Sequence, residues 1–487
     1  MIEVLSVTSE IYPLVKTGGL ADVAGALPAA LAASGVTMRS LVPGYPAVTG
    51  KMQQGREVAQ FTDLFGVSAR LLAGRVEGLD LIVLDAPALY DRPGNPYMGP
   101  EGWDWPDNWK RFAALSWVAS ELGLGLVEGY RPHLIHAHDW QAGLVPAYVK
   151  YGPSATLKTV MTVHNMAFQG TFGADIFAQL RLPPHAFSME GVEYYGGVGY
   201  LKAGVECADV VTTVSPSYAA EIRTPAFGMG LEGLLNNRSA SVFGVLNGID
   251  MQAWNPATDP ALAVNYGAST IQHRLVNKRA LQEAFGLEAL DGPLFSVVSR
   301  LTWQKGIDLL VANIDMLVEA GGQLAVLGSG DAELENAVRG AAKRHAGRVG
   351  LVTGYNERLS HLVQGGADVM MVPSRFEPCG LTQLYALRYG CIPLVSRVGG
   401  LNDTVIDANV AAIQAEVATG VQFAPPSEGA LADAIRRVLA LYADEKSWKK
   451  MQRRGMKSDV SWETSAARYA QLYASLIGFS TDDSANH

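Results

Sequence analysis

The chain alternates short apolar runs with longer amphipathic stretches, and this rhythm constrains its fold more than any other feature. In the first half, apolar runs of strand length lie at residues 3–8, 38–42, 79–84, 134–137, 159–164 and 210–214. A second set lies at residues 294–299, 323–327, 349–353, 368–372 and 392–396. Helix-like segments such as 21–33 and 306–319 separate the runs, so the pattern predicts parallel β-sheets covered by helices on both faces.

The rhythm restarts after a turn-rich passage near residue 245, which predicts an α/β protein of two Rossmann-like domains facing across a cleft. The chain has 487 residues, more than one hydrophobic core usually holds. We predict an N-terminal domain over residues 1–245 and a C-terminal domain over residues 246–456. The remaining residues, 457–487, are expected to form a helix that packs back on the N-terminal domain and ends in a frayed polar tail.

Composition argues against several classes of protein. The formal net charge is -9, whereas general nucleic-acid binders carry an excess of basic charge. No apolar run approaches the ~20 residues of a membrane span, and the N-terminus resembles a first strand more than a signal peptide. Cys207, Cys379 and Cys391 show no disulfide or metal spacing. We therefore expect a cytoplasmic protein without nucleic-acid or membrane partners, and its oligomeric state stays open.

A glycine pair follows the first strand, in the sequence Lys-Thr-Gly-Gly-Leu-Ala-Asp-Val at residues 16–23. Gly18 and Gly19 let backbone N–H groups approach an anion closely at the start of a helix, and Lys16 adds a charge suited to phosphate. A tight turn with a solvated lysine is the alternative interpretation of a lone glycine pair.

Two basic residues follow the predicted strand that ends near residue 298. Arg300 and Lys305 precede a glycine that opens a helix, and two cations at one strand–helix junction suit a diphosphate. Taken alone, such a pair is usually a solvated edge. Gly328 begins a glycine-rich turn after the next strand. Tyr355, beyond the strand after that, is placed either to stack on a nucleobase or to pack at a domain edge.

The segment 374–383 carries the most specific sequence, Ser-Arg-Phe-Glu-Pro-Cys-Gly-Leu-Thr-Gln, directly after an apolar run. Ligands of open α/β folds bind at the carboxyl ends of the strands. Glu377 is placed there to accept hydrogen bonds from sugar hydroxyls. Backbone N–H groups that start the following helix can meet phosphate or sugar oxygens, and they belong to Cys379, Gly380, Leu381 and Thr382.

Three further polar groups are candidates, and the first two follow predicted strands. One is His-Ala-His-Asp-Trp at residues 136–140, another contains His164 and Asn165, and the third contains Asn247 before a glycine. Each has a structural interpretation, as core histidines, a turn cap and a turn signal respectively. Nothing else in the sequence completes a zinc site around the His-x-His pair, so no metal is expected there.

Together these motifs resemble, in order from residue 16 to 382, the glycogen and starch synthases, which move glucose from a nucleotide sugar to the end of an α-glucan. The resemblance implies a GT-B type fold, retention of configuration, ADP-glucose rather than UDP-glucose as donor, and an α-1,4-glucan (glycogen) as acceptor. It implies that Lys16, Arg300 and Lys305 act on the donor phosphates. It places Asp139, His164 and Glu377 beside the reacting glucose, with Asn165 and Asn247 nearby.

The same resemblance implies that Trp140 offers a flat face on which a glucose ring stacks. No Asp-x-Asp motif ends a strand, so we expect no metal cofactor. Related transferases with other acceptors usually carry a second glutamate eight residues after Glu377, where this chain has Tyr385, and ribose recognition is left unassigned. A non-catalytic sugar-nucleotide or glucan-binding protein is a second alternative. A dehydrogenase is disfavoured because no Gly-x-Gly-x-x-Gly follows the first strand.

Overall fold

The computed structural model describes residues 1–52, 54–153, 156–354 and 356–478, and the chain divides into two units. The first unit comprises Met1–Asn247 and the C-terminal segment from Trp462, and the second comprises Gly248–Ser461. Tyr355 and the tail predicted to fray lie outside the described residues. Both units are α/β with mainly parallel sheets, which confirms the predicted fold class.

A nine-stranded sheet forms the centre of the first unit, counted over its described residues. Seven neighbouring strands are parallel, and an antiparallel hairpin extends one edge. All the strands predicted here are present, whereas the hairpin and the opposite edge strand were not predicted. Across the sheet the strands are Val242–Gly244, Val210–Thr213, Lys158–Val163, Leu134–His138, Ile2–Val7, Val36–Pro43, Leu79–Asp85, Val67–Val76 and Arg56–Leu64.

Helices cover this sheet, and a small antiparallel sheet of Thr171–Phe172, Gly197–Gly199 and Glu193–Tyr194 follows the strand Lys158–Val163 along the chain. Buried aliphatic side chains, such as Leu27 and Leu31 on the first helix, join helices and sheet. The α-helices are Gly19–Ala32, Pro46–Thr49, Pro87–Tyr90, Asn108–Gly123, Val145–Tyr151, Tyr200–Cys207, Pro216–Glu221, Glu232–Asn237 and Glu463–Ile477.

The last of these helices, Glu463–Ile477, belongs to the core of the first unit. Its buried Tyr469 and Tyr473 join the apolar cluster formed by the first strand and first helix. The Tyr473 hydroxyl is hydrogen-bonded to His136 Nδ1 at 2.7 Å. Burial of large side chains from a distant part of the sequence stabilises this return of the chain.

Six parallel strands form the sheet of the second unit's described residues, in the order Val349–Val352, Gln323–Leu327, Leu294–Val298, Val369–Val372, Ile392–Ser396 and Val421–Phe423. The first strand in the sequence lies in the middle, so the connections run outward on both sides of it. This order places a topological switch point between Leu294–Val298 and Val369–Val372, where open α/β folds bind ligands. The α-helices are Arg274–Ala284, Ile307–Glu319, Ala332–Arg344, Glu357–Gly366, Thr382–Tyr389, Gly399–Thr404, Val410–Gln414, Glu428–Ala443 and Glu445–Lys457.

Candidate active site

The switch point of the second unit brings two of the predicted motifs into contact. Lys305 Nζ lies 2.5 Å from Glu377 Oε2, and the two side chains are only 18% and 10% exposed. Ser374 Oγ donates a second hydrogen bond to the same carboxylate oxygen at 2.9 Å. The sequence predicted Lys305 and Glu377 at this edge, and it included Ser374 in the same motif without a role. A part-buried ammonium and a carboxylate are therefore held in a fixed relation at the carboxyl ends of two adjacent strands.

Arg300 lies on the same loop as Lys305 and is exposed. Within the described part of the chain, its guanidinium has no hydrogen bond or ion pair. Since an arginine fork matches the geometry of phosphate oxygens, this side chain is available for an anionic ligand.

An ion pair that the sequence did not reveal ties the two loops together. The Arg375 guanidinium donates to both carboxylate oxygens of Asp308, each at 2.7 Å. It also lies over the Trp303 ring at 4.3 Å, and Arg375 N donates to Gln304 O at 2.9 Å. The hydrogen bonds from Arg375 lower the pKa of Asp308. Because Asp308 follows Lys305 and Arg375 precedes Glu377, this pair positions both functional side chains.

Close packing of backbone accounts for two glycines near this site. A Cβ on Gly400 would lie 2.2 Å from Cys379 O, and one on Gly328 would lie 1.9 Å from Ser299 O. Both distances are far shorter than real contacts allow. Gly328 therefore has a packing role in addition to any contact with a ligand. Gly400, which sequence reasoning missed, sets the position of the loop that contains Glu377.

The helix Thr382–Tyr389 begins where the Glu377 loop ends. Gly380 has φ +74° and Leu381 is the N-cap, so the chain turns sharply into the helix with Cys379 buried behind it. N–H groups of the first helical turn have no partner within their helix. The predicted backbone donors thus lie together at one helix start.

Tyr385, on the same helix, packs against Trp254. Their rings stack with centroids 3.6 Å apart, and Trp254 stacks in turn on His361 at 3.8 Å. The Tyr385 side chain therefore packs inside the second unit. This observation gives it a structural role and leaves the ribose-binding residue unassigned.

The Lys16 loop of the first unit is held by a buried carboxylate. Glu10 accepts hydrogen bonds from Thr17 Oγ1 at 2.5 Å and from Gly18 N at 3.2 Å. Lys16 itself forms an ion pair with Asp22 at 2.7 Å. Sequence reasoning missed Glu10, whose place at the end of the first strand was the available signal.

Packing gives no reason for glycine at positions 18 and 19. A Cβ on Gly18 or Gly19 would meet nothing within 4 Å, and neither residue has a positive φ. Open space beside a helix start leaves room for a ligand to approach the backbone closely.

Asp139 and His164, each of which the family resemblance places beside the glucose, meet at the ends of neighbouring strands. Asp139 Oδ1 accepts a hydrogen bond from His164 N at 2.6 Å, and Asn165 N also donates to this carboxylate. Burial raises the pKa of Asp139 to about 7, and the nearby charge of Glu10 contributes. Burial lowers the pKa of His164 to about 3, so its imidazole is neutral at pH 7. His138 Nδ1 lies 3.0 Å from His164 Nε2.

The expectation that Trp140 offers an open face to a sugar is wrong. The Trp140 side chain is buried, and its ring packs edge-to-face against Phe112 with centroids 4.9 Å apart. Gly170 lies so close that a Cβ there would be 2.2 Å from the indole. The ring is thus covered by the protein itself and belongs to the core of the first unit.

The two predicted asparagines have different surroundings. Asn165 Oδ1 accepts from Ala167 N at 3.0 Å and caps its own turn. Asn247 is buried, and its Oδ1 has no hydrogen-bond partner among the described residues. A buried acceptor without a partner is costly, so Asn247 is the better candidate of the two for a contact with a ligand.

Two features were not found among the described residues. They contain no group of three or more His, Cys, Asp or Glu side chains arranged to hold a metal ion. Of the helices they form, none combines the length and apolar character needed to cross a membrane.

Known proteins resemble this chain over nearly its whole length. The family model described as starch synthase catalytic domain matches residues 3–237, and that described as glycosyl transferases group 1 matches residues 279–455. A glycogen synthase of Rhizobium johnstonii is 58% identical over 476 residues, covering 98% of this chain and 99% of that protein. Glycogen synthase 1 of Rhizobium meliloti is 57% identical over 477 residues with the same coverage.

Solved structures show the same likeness. The catalytic domain of starch synthase IV from Arabidopsis thaliana, bound to ADP and acarbose, superposes with a TM-score of 0.87 at 31% identity. That alignment covers 98% of this chain and 99% of the plant chain. Sucrose-phosphate synthase from Thermosynechococcus elongatus shares the fold, with a TM-score of 0.61 at 21% identity over 98% of this chain and 100% of its own.

Proposed function

This chain belongs to the starch and glycogen synthase family of glycosyltransferases, and from that premise we propose that it transfers glucose from ADP-glucose to the non-reducing end of an α-1,4-glucan. ADP is released, and the new bond keeps the α configuration. The observation that carries the proposal is the contact of Lys305 with Glu377 at a switch point, beside the exposed Arg300.

Arg300 and Lys305 stabilise the leaving diphosphate. The Lys305 ammonium has three donors, so it can hold Glu377 and still bind a phosphate oxygen. A preorganised donor of this kind is worth about 3–4 kcal/mol, or roughly 100- to 1000-fold in turnover. We assign additional phosphate or sugar contacts to Lys16, to the backbone of Gly18 and Gly19, and to the Gly328 turn and the N–H groups of residues 379–382.

The remaining polar side chains orient the glucose. Glu377 accepts hydrogen bonds from its hydroxyls, since a carboxylate already held by Lys305 and Ser374 keeps a fixed direction. His164 is neutral at pH 7 and so donates or accepts without adding charge beside the reacting carbon. Asp139 holds the backbone of the His164 loop, and Asn247 offers its buried amide oxygen.

We propose that attack and departure take place on the same face of the sugar. The bond between the anomeric carbon and the phosphate oxygen breaks, and its electron pair stays on that oxygen. The acceptor hydroxyl oxygen bonds to the same carbon, and its proton passes to the departing phosphate. This route retains configuration without the carboxylate nucleophile that a double displacement needs.

We also propose that transfer needs no metal ion and that the protein is cytoplasmic. We propose that the basic side chains and helix start supply the positive charge at the diphosphate, so that a divalent cation is not required. The cysteines of the described chain form no disulfide, which is consistent with a reducing cytoplasm. Fractionation of the cells that make the protein tests this location.

The function is tested by supplying glycogen with ADP-glucose and with UDP-glucose in turn, and by measuring polymer gain and nucleotide release. ADP-glucose is expected to give the higher kcat/KM. Lys305→Ala and Arg300→Ala are each expected to lower turnover at least 100-fold. Lys343→Ala, which removes an exposed cation at the end of a helix in the same unit, is the matched control. Wild-type turnover in both site variants would contradict the proposal.

A further inference from the structure

A strained tyrosine lies at the tip of the hairpin Glu193–Tyr194 and Gly197–Gly199. Tyr195 has φ +49° and the next residue, Gly196, has φ +80°, the backbone of a two-residue turn with both central residues left-handed. Such turns favour asparagine, aspartate or glycine at the first position, and a bulky residue there is an outlier. Tyr195 is nevertheless 84% exposed. Strain of this kind points to a use for the side chain.

The exposed ring contacts its neighbours on one side. Tyr195 packs edge-to-face on Tyr194 with centroids 4.7 Å apart. A Cβ on Gly230 would lie 3.6 Å from the Tyr195 hydroxyl and 2.7 Å from the Tyr194 hydroxyl. Tyr194 in turn donates to Met229 O at 3.3 Å, and Met229 is 39% exposed. The hairpin and the bend at residues 229–230 therefore lie against each other and form one continuous surface.

This surface continues toward the candidate site of the first unit. Gln169 Nε2 donates to Met229 O at 3.0 Å, and the preceding residue, Phe168, is 53% exposed. Both belong to the loop that begins with His164 and Asn165. That loop leads directly into the small sheet that contains the hairpin.

We propose that Tyr195, with Met229 and Phe168, binds the acceptor glucan several units away from its reacting end. The inference rests on the proposed function, because a polymeric acceptor must cross the surface around the site that extends it. Pyranose rings present flat C–H faces that pack on aromatic side chains, while their hydroxyls need polar partners at the rim. Gln169 and the carboxylates of Glu193 and Glu232, which cap the two bends, supply such partners.

A protein partner fits this surface less well. A stable protein interface buries about 800 Å² on each side, whereas an aromatic side chain supplies about 150–250 Å². Three apolar side chains flanked by carboxylates therefore match a narrow sugar chain better than a second protein.

Tyr195→Asn removes the ring and installs a residue that the turn favours, so the fold is expected to be retained or improved. We expect the KM for glycogen to rise about threefold to tenfold, from the loss of one stacking contact. The KM for ADP-glucose keeps its wild-type value, and Tm does not fall. Tyr195→Phe keeps the ring and is expected to retain most of the wild-type affinity for glycogen. Phe243→Thr, at an exposed aromatic on an edge strand, is the matched surface control.

Retardation of the protein in native gels containing glycogen measures binding independently of transfer. If glycogen retards Tyr195→Asn as strongly as it retards the wild type, the proposal is overturned. The proposal is also overturned if Tyr195→Asn sediments as a monomer where the wild type sediments as an oligomer, while its binding to glycogen is unchanged. That result would assign the surface to contacts between copies of the chain. If the wild type is retarded by glycogen but transfers no glucose, the proposed function fails while the acceptor surface stands.

Discussion

Replacing Gly400 by alanine tests whether the position of the Glu377 loop sets the rate of transfer. Gly400 N donates to Glu377 O and to Pro378 O, both at 3.1 Å. A Cβ at this position would lie 2.2 Å from Cys379 O, whereas ordinary contacts begin at 3.4 Å. The atoms involved are backbone, so the loop or the helix Gly399–Thr404 must move by about 1 Å to relieve the overlap.

A shift of about 1 Å in catalytic groups can cost roughly 100-fold in rate, and overpacking typically costs about 1–3 kcal/mol of stability. We therefore expect Gly400→Ala to lower kcat by about two orders of magnitude with a modest fall in Tm. Initial rates of nucleotide release at saturating donor and glycogen measure the first effect, and thermal unfolding measures the second.

Gly429→Ala is the matched control in the same unit. A Cβ there would meet nothing within 4 Å, and the residue lies in the first turn of the helix Glu428–Ala443. Alanine is favoured over glycine in helices by up to about 1 kcal/mol, so this variant keeps its rate and its Tm does not fall. A Gly400→Ala enzyme with wild-type kcat would refute the view that the position of this loop limits catalysis.

Ionisable groups and metal dependence supply the remaining predictions. Asp308→Asn removes the charged acceptor for Arg375 and is expected to lower the free energy of unfolding by about 1 kcal/mol at pH 7. Because Arg375 lowers the pKa of Asp308, the difference from wild type should shrink as the pH falls below about 4, which urea unfolding at pH 7 and pH 3 would show. Since burial raises the pKa of Asp139 to about 7, the folded protein binds a proton that the unfolded chain lacks between about pH 4 and 7. The stability that Asp139 contributes should therefore fall as the pH rises through that window. The buried neutral His164 has the opposite effect, so the measured quantity is the difference in stability between wild type and Asp139→Asn, which should change with pH in the same urea series. Transfer is expected to keep its rate in excess EDTA, and a loss that Mg²⁺ restores would contradict the metal-independent proposal.

The sequence predicted the strand ends of both units because short apolar runs are the strongest signal of buried parallel strands. The resemblance to a known family assigned Lys305 and Glu377, and likewise Asp139 and His164, to one site without showing their contacts. What the sequence lacked was the order of strands. The switch point depends on which strand lies in the middle of the sheet, and nothing local encodes that.

Contacts between distant residues explain the other omissions. Trp140 could be taken for an exposed platform because the residues that cover its ring, such as Phe112 and Gly170, lie far from it in the sequence. The pairing of Arg375 with Asp308 joins positions 67 residues apart, and each looked like a solvated charge by itself. The hairpin of residues 56–76 carries many exposed polar side chains, so its apolar pattern was too weak to predict.

The proposed transfer requires that Arg300 and Lys305 bind the leaving diphosphate. A crystal structure of the protein with ADP tests it most directly. Phosphate oxygens are expected within ~3 Å of Lys305 Nζ and of the Arg300 guanidinium. A diphosphate bound away from both side chains would contradict it.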